Sequence, residues 1–210
     1  MSAPYHLDIF VADASALPLY DASISAHNES VGKRHPDSGF DLFTPCATYS
    51  DLLEAGTVGC KAGVILTVCA NLGVKIAMRK ADGTPVGCYL YARSSCAKYP
   101  FRIGNNQGII DSGYRGDLKA MFDVDWQLAS FRAPQPNCVP SIEECIRNSK
   151  EFESRDMAPE SHLTLGRSSP LRLTQLCAPG LEPFTVSRVE TPDMLGETER
   201  GSGGIGSTGF

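Results

Sequence analysis

The chain has 210 residues, enough for one domain with a sizeable core or for one domain plus an insertion. Its net charge of −5 argues against a nucleic-acid groove, although a small anion needs only a local cluster of donors. No window carries the roughly eighteen apolar residues of a membrane span, and Met1–Phe10 lacks the basic-then-apolar pattern of an export signal, so an intracellular protein of the cytoplasm or nucleus is expected. The eight cysteines form no Cys-x-x-Cys pair and stand apart from the four histidines, which points to reduced thiols packed as small apolar groups and away from zinc. Twenty glycines and fourteen prolines spread along the chain imply many turns and short strands.

Residues 5 to 12, Tyr-His-Leu-Asp-Ile-Phe-Val-Ala, alternate enough for an edge or first strand. The segment from Asp13 to Asp37 reads as a polar, irregular loop broken by Pro18 and Pro36, with His27 and His35 in solvent. Ser38-Gly39-Phe40-Asp41-Leu42 then opens a strand with an aspartate near its start. Short β-branched runs at 64–68 and 73–78 read as strands, and Asp82-Gly83 signals a hairpin whose returning strand is Val86 to Tyr91. That strand ends in Arg93-Ser94-Ser95. A guanidinium offers planar paired donors to phosphate oxygens, and hydroxyls and backbone N–H groups at a strand-to-helix turn bind the same oxygens. The serines equally suit the cap of a short helix through Ala97 and Lys98, and the two readings are compatible.

Gly104-Asn105-Asn106-Gln107 leads into Gly108-Ile109-Ile110-Asp111-Ser112-Gly113-Tyr114-Arg115-Gly116-Asp117. Asp111 follows a strand end and Tyr114 comes three residues later. In a hairpin this places a fixed base and a flat ring on one pocket wall. On spacing alone the same residues also read as a Ser-Gly turn with a solvent-facing carboxylate and a core aromatic. Leu118 to Trp126 reads as a further strand. Residues 127–169 hold Pro134, Pro136, Pro140 and Pro159. They also hold a capping-box pattern at Ser141 and Glu144, with Ile142, Cys145 and Ile146 on one helical face. This stretch reads as a partly ordered surface insertion or as a partner-binding arm. Leu171 to Leu176 alternates like a strand and contains Gln175. Arg200-Gly201-Ser202-Gly203-Gly204-Ile205-Gly206-Ser207-Thr208-Gly209-Phe210 has the composition of a flexible linker.

Five of these stretches, in this order, resemble the five motifs of the trimeric dUTP pyrophosphatase (dUTPase) family: 38–42, 93–95, 108–117, 171–176 and 200–209. The fourth lacks the family's usual Gly-Asp, and Ile205 stands where the family has a Phe stacked on uracil, a role Phe210 is free to take. The resemblance implies an all-β, antiparallel jelly-roll domain over 1–199, interrupted by the insertion at 127–169, with 200–210 as an arm closing over substrate. It implies a homotrimer whose active sites take the first, second and fourth motifs from one chain, the third from another and the fifth from the last.

The implied reaction is dUTP plus water giving dUMP and pyrophosphate, which keeps uracil out of DNA. Asp111 is then the base. Asn105, Gly108 and Ile110 face uracil, with Ile205 above it, and Tyr114 lies against the deoxyribose. Arg93, Ser94, Ser95, Gln175, Arg200, Ser207 and Thr208 hold the phosphates, and Asp41 reaches Mg²⁺ through water. Two alternatives share the scaffold. A dCTP deaminase carries Arg-Ser-Ser too, but uses a Glu ten residues after the matching Asp, where this chain has Met121. A non-catalytic regulator would have no need to retain Asp111, Tyr114 and Arg200.

Overall fold

The computed structural model describes residues 3–44, 57–61, 65–98, 101–125 and 171–203. Trp126, the insertion at 127–169 with its expected helix, and Ile205, Ser207, Thr208 and Phe210 lie outside them. The described residues form twelve strands: β1 (Tyr5–Val11), β2 (Gly39–Thr44), β3 (Thr57–Lys61), β4 (Ile65–Asn71), β5 (Val74–Lys80), β6 (Pro85–Val86), β7 (Cys88–Ala92), β8 (Phe101–Ile103), β9 (Gly108–Ile110), β10 (Lys119–Asp125), β11 (Leu171–Cys177) and β12 (Phe184–Val189). They make three four-stranded sheets, ordered β12-β1-β5-β6, β3-β4-β10-β8 and β2-β11-β7-β9. The architecture is all-β and almost wholly antiparallel. β1 is first in sequence but lies inside its sheet, antiparallel to β5 on one side and parallel to β12 on the other. Inward residues of all three sheets meet in one core, where Leu7, Ile9, Leu42, Leu118, Phe122, Leu173, Leu176 and Phe184 are completely buried. Each such side chain contributes about 1.5–3 kcal/mol relative to an exposed one. Cys88, Cys96 and Cys177 are buried thiols, and burial pushes Cys88 up to about 12 and the other two to about 11.

The expected strand from 86 to 91 is split at Gly87, where the chain leaves the first sheet and enters the third. The reason is a close crossing. A Cβ at Gly87 would stand 2.8 Å from the Ile110 carbonyl oxygen and 3.8 Å from the Asp111 Cα, so only glycine lets the chain pass over the end of β9.

The polar segment before Asp41 is not an irregular loop. Leu17–Val31 is an α-helix, α1, with Pro18 in its first turn, where a missing N–H costs nothing. One face carries Leu17, Tyr20, Ile24, His27 and Val31 at helical spacing. Its polar side chains satisfy two exposed sheet edges. The Asn28 amide donates to the Val186 carbonyl at 2.9 Å and accepts from the Val186 N–H at 2.8 Å, as a further strand beside β12 would. The Tyr20 hydroxyl accepts from the Phe43 N–H of β2 at 3.1 Å. His27 is buried, donating through Nε2 to the Phe184 carbonyl at 3.0 Å, with its ring against Phe40 and Phe184. Burial lowers its pKa below the ordinary value, offset in part by that hydrogen bond and by Asp37 and Asp41. No helix among the described residues is long and apolar enough to cross a membrane.

Candidate functional site

The outer face of the β2-β11-β7-β9 sheet carries the first cluster. Antiparallel register sets Gln175 beside Asp41 on one side and beside Tyr91 on the other, and Arg93 follows the end of β7. At Gly39 the Gln175 amide lies over the Cα, and a Cβ there would push the end of that side chain aside. The Gln175 Nε2 donates to the Ala92 carbonyl at 3.4 Å. Arg93 Nε meets Asp41 Oδ1 at 2.6 Å, and Arg172 Nη1 meets Asp41 Oδ2 at 3.3 Å. Arg93 also donates to the Arg172 carbonyl at 3.3 Å and the Ser95 hydroxyl at 3.4 Å, while its own N–H is held by the Leu173 carbonyl.

Over these groups opens a pocket of about 870 Å³, lined by Asp41, Arg93, Ser94, Arg172 and Gln175 on the sheet and by Ser23 and His27 of α1. Two guanidiniums thus converge on one carboxylate at the floor of a cleft. A phosphate group, planar-forked by arginine in the same way, is the natural replacement for that carboxylate. Ser94 and Ser95 sit at the start of a 3-10 turn, Ser94–Lys98, that bends the chain away from β7. Among the described residues no three carboxylate, imidazole or thiol groups converge to cage a metal. Asp37 and Asp41 are the carboxylates that line the pocket.

The second cluster surrounds Asp111. Its carboxylate, 49% exposed, lies just past β9, with Arg200 Nη1 at 2.5 Å from Oδ2. The turn closes through the Tyr114 N–H to the Asp111 carbonyl at 3.0 Å. Tyr114 packs its ring over Gly116 and donates its hydroxyl to the Asp117 carbonyl at 2.8 Å. Asn105 is exposed in the turn between β8 and β9, at the opposite end of β9 from Asp111; Gly108 and Ile110 are the first and last residues of that strand, Gly108 over Leu90 and Ile110 half-buried. The root of the C-terminal arm packs against this loop. Thr198 Oγ1 donates to the Gly113 carbonyl at 2.5 Å and accepts from the Gly201 N–H at 3.1 Å. The Arg115 N–H donates to the Gly201 carbonyl at 2.7 Å.

One chain keeps the two clusters apart. β9 runs antiparallel to β7, pairing Ile110 with Cys88 and Gly108 with Leu90. Asp111 therefore stands at the start of β7 and Arg93 past its end, about 20 Å away at roughly 3.3 Å per strand residue. Asp41, Arg93, Ser94 and Gln175 come together; Asp111, Tyr114 and Arg200 come together elsewhere. Arg172, Tyr91, Arg115, Thr198 and the whole of α1 were not singled out from the sequence as parts of either cluster. For Arg172 the alternation of β11 pointed the wrong way. A register shift between Leu171 and Thr174 breaks the two-residue period, so residues 172 and 175 both face the pocket. Comparison with protein-family models and with curated proteins gave no match.

Proposed function

We propose that this chain is a dUTP pyrophosphohydrolase of dUTPase-like jelly-roll architecture, acting as a homotrimer with sites shared between chains. The observation that supports it is the split itself. Residues far apart in sequence form an anion pocket in one place, and a loop with an aspartate, an arginine and a tyrosine forms about 20 Å away, farther than one nucleotide's phosphates can bridge. A neighbouring chain that brings its Asp111 loop to this chain's pocket completes a site that neither completes alone.

In such a site Arg93, Ser94, Ser95 and Gln175 bind and orient the triphosphate and stabilise charge developing on the leaving pyrophosphate. Asp41 would hold a Mg²⁺ through water, and the ion would supply charge shielding to the triphosphate. Asp111 orients a water in line with the α-phosphorus and takes its proton. Arg200, which neutralises Asp111 in the free chain, exchanges that partner for an outer phosphate, and Ser207 and Thr208 follow along the arm. The turn between β8 and β9 and the strand that follows it, from Asn105 to Ile110, offer their backbone to uracil. Cytosine reverses that donor and acceptor pattern and leaves buried groups unpaired, at about 1–3 kcal/mol each. Tyr114, fixed by its bond to Asp117, leaves no room for a ribose 2′-hydroxyl. The test is pyrophosphate release from dUTP, dCTP, dTTP and UTP, with and without Mg²⁺. The expected result is Mg²⁺-dependent release from dUTP far above the other three. Ammonia release from dCTP would instead favour the deaminase, and release from none of them a regulator.

A further inference from the structure

Among the described residues, Arg115 has the most fully used guanidinium in either cluster, and its partners there are all backbone carbonyls. Its Nη1 donates to the Ser112 and Tyr114 carbonyls, each at 2.9 Å. Its Nε donates to the Leu195 and Gly196 carbonyls at 3.0 and 3.1 Å. The first pair belongs to the loop that carries Asp111. The second belongs to the 3-10 turn Pro192–Leu195 and the glycine that ends it, from which the C-terminal arm departs. Leu195 is buried against Phe10, Ala77 and Val189 on the outer face of the β12-β1-β5-β6 sheet. The guanidinium therefore ties a loop at the end of β9 to a turn anchored on a different sheet. Three N–H hydrogens of a planar fork serve these four carbonyls, the single Nε–H being shared between Leu195 and Gly196; a lysine ammonium at the same reach is a point donor.

We infer that Arg115 is a positioning residue for the reaction proposed above: it fixes the point from which the arm is launched beside the Asp111 loop. Gly196, with φ of +79°, turns the chain out of the anchored segment, and Thr198 and Arg200 then meet Gly113 and Asp111. In the free chain the first residues of the arm, from Arg200 to Gly203, are parked on this loop. When substrate displaces Arg200 from Asp111, residues from 197 onward are released while Leu195 and Gly196 stay tied. Each arm then starts its search for the phosphates from one fixed place, so less conformational freedom is lost on closure.

The inference rests on the proposed reaction, and two readouts separate them. The first needs no substrate. Trypsin cleavage after Arg200 in the full-length chain should be about tenfold faster in Arg115→Ala than in wild type, with cleavage elsewhere in the folded body unchanged. The second is kinetic. Arg115→Ala should lower kcat/KM for dUTP about tenfold, and by less than about threefold when introduced into Arg200→Gln, because the arm is already uncoupled there. A residue that merely stabilises the fold would lose the same factor in both backgrounds, and that result overturns the inference. So does an unchanged cleavage rate after Arg200. Arg115→Lys keeps the charge without the fork and should show most of both effects; it also serves where the alanine variant fails to fold, and wild-type behaviour in it counts against the inference. A wild-type chain that cleaves no dUTP overturns the reaction and with it the positioning role. The trypsin result still shows whether Arg115 holds the arm.

Discussion

Arg93 and Arg200 each hold an aspartate at nearly the same distance, 2.6 Å to Asp41 and 2.5 Å to Asp111, yet the two pairs stand on different supports. Asp41 is 22% exposed, lies on a strand where it pairs directly with Gln175 of β11, and has a second guanidinium from Arg172. Asp111 is 49% exposed and its arginine comes from a segment held by a few side-chain-to-carbonyl bonds. An exposed ion pair of the second kind is worth little, between about zero and 1 kcal/mol. The strand-borne pair has the character of a pre-set anion seat. The loop-borne pair has the character of a latch, which under the proposed reaction a triphosphate opens cheaply. Seats and latches should answer differently to the same change of carboxylate to amide.

The largest effect is expected at the latch. Asp111→Asn keeps the shape and removes the proton acceptor, so kcat should fall about 10²–10⁴-fold or more with binding largely kept. A kcat within a few-fold of wild type removes Asp111 from its role. The converse change at the seat, Asp41→Asn, should lower kcat/KM only about 10–100-fold, mainly through KM and a raised Mg²⁺ requirement, since it touches ground-state and transition-state phosphate alike. If Asp41→Asn costs as much kcat as Asp111→Asn, the contrast between the two sites fails.

Mixed trimers sharpen the contrast from another side. One protein carries Asp111→Asn with an intact arm, and the other keeps Asp111 but stops at Glu199. Each alone should be nearly inactive. Refolded together, sites that draw Asp111 from one chain and the arm from another should regain activity in proportion to mixing. Mixed trimers verified by native mass spectrometry and inactive at every ratio would show that Arg200 serves the Asp111 it parks on here.

Both aspartates were singled out through the motif resemblance; the turn glycines and short β-branched runs gave only the strands beside them. What places them was less legible. Strand partnership over long range, such as β1 with β12, leaves no local signal. The bulge before Thr174 inverted the face of Arg172. α1 was missed because its polar residues answer to sheet edges and not to solvent. Asn28, Tyr20 and His27 look like loop residues until the edges of β12 and β2 are known. A start signal was nonetheless present: Pro18 falls in a first helical turn, and the stripe from Leu17 to Val31 follows at spacings of three and four residues.

The smallest expected effect comes from His27, where α1 meets the anion pocket. Its ring is buried between Phe40 and Phe184, and burial lowers its folded pKa below 6.5, with Phe184, Asp37 and Asp41 pulling weakly upward. The unfolded chain therefore binds a proton on this residue at a pH where the folded chain does not. Stability rises with pH between the lowered folded value and about 6.5, and it falls as the solution is acidified through that window. His6 is shifted the same way, by desolvation and by Arg79, and adds to the slope. The melting temperature should thus drop between about pH 7 and pH 5.5. The drop should be smaller in His27→Gln, which has no charge to gain, even if that variant starts from a lower value at pH 7. Asp41→Asn removes one of the carboxylates that favour the imidazolium, so it should move the His27 titration further down. An NMR titration of the His27 ring protons reads this directly. A midpoint above 6.5, or one that does not respond to Asp41→Asn, would mean that the helix and the phosphate seat are electrostatically independent and that the polar face of α1 serves the sheet edges alone.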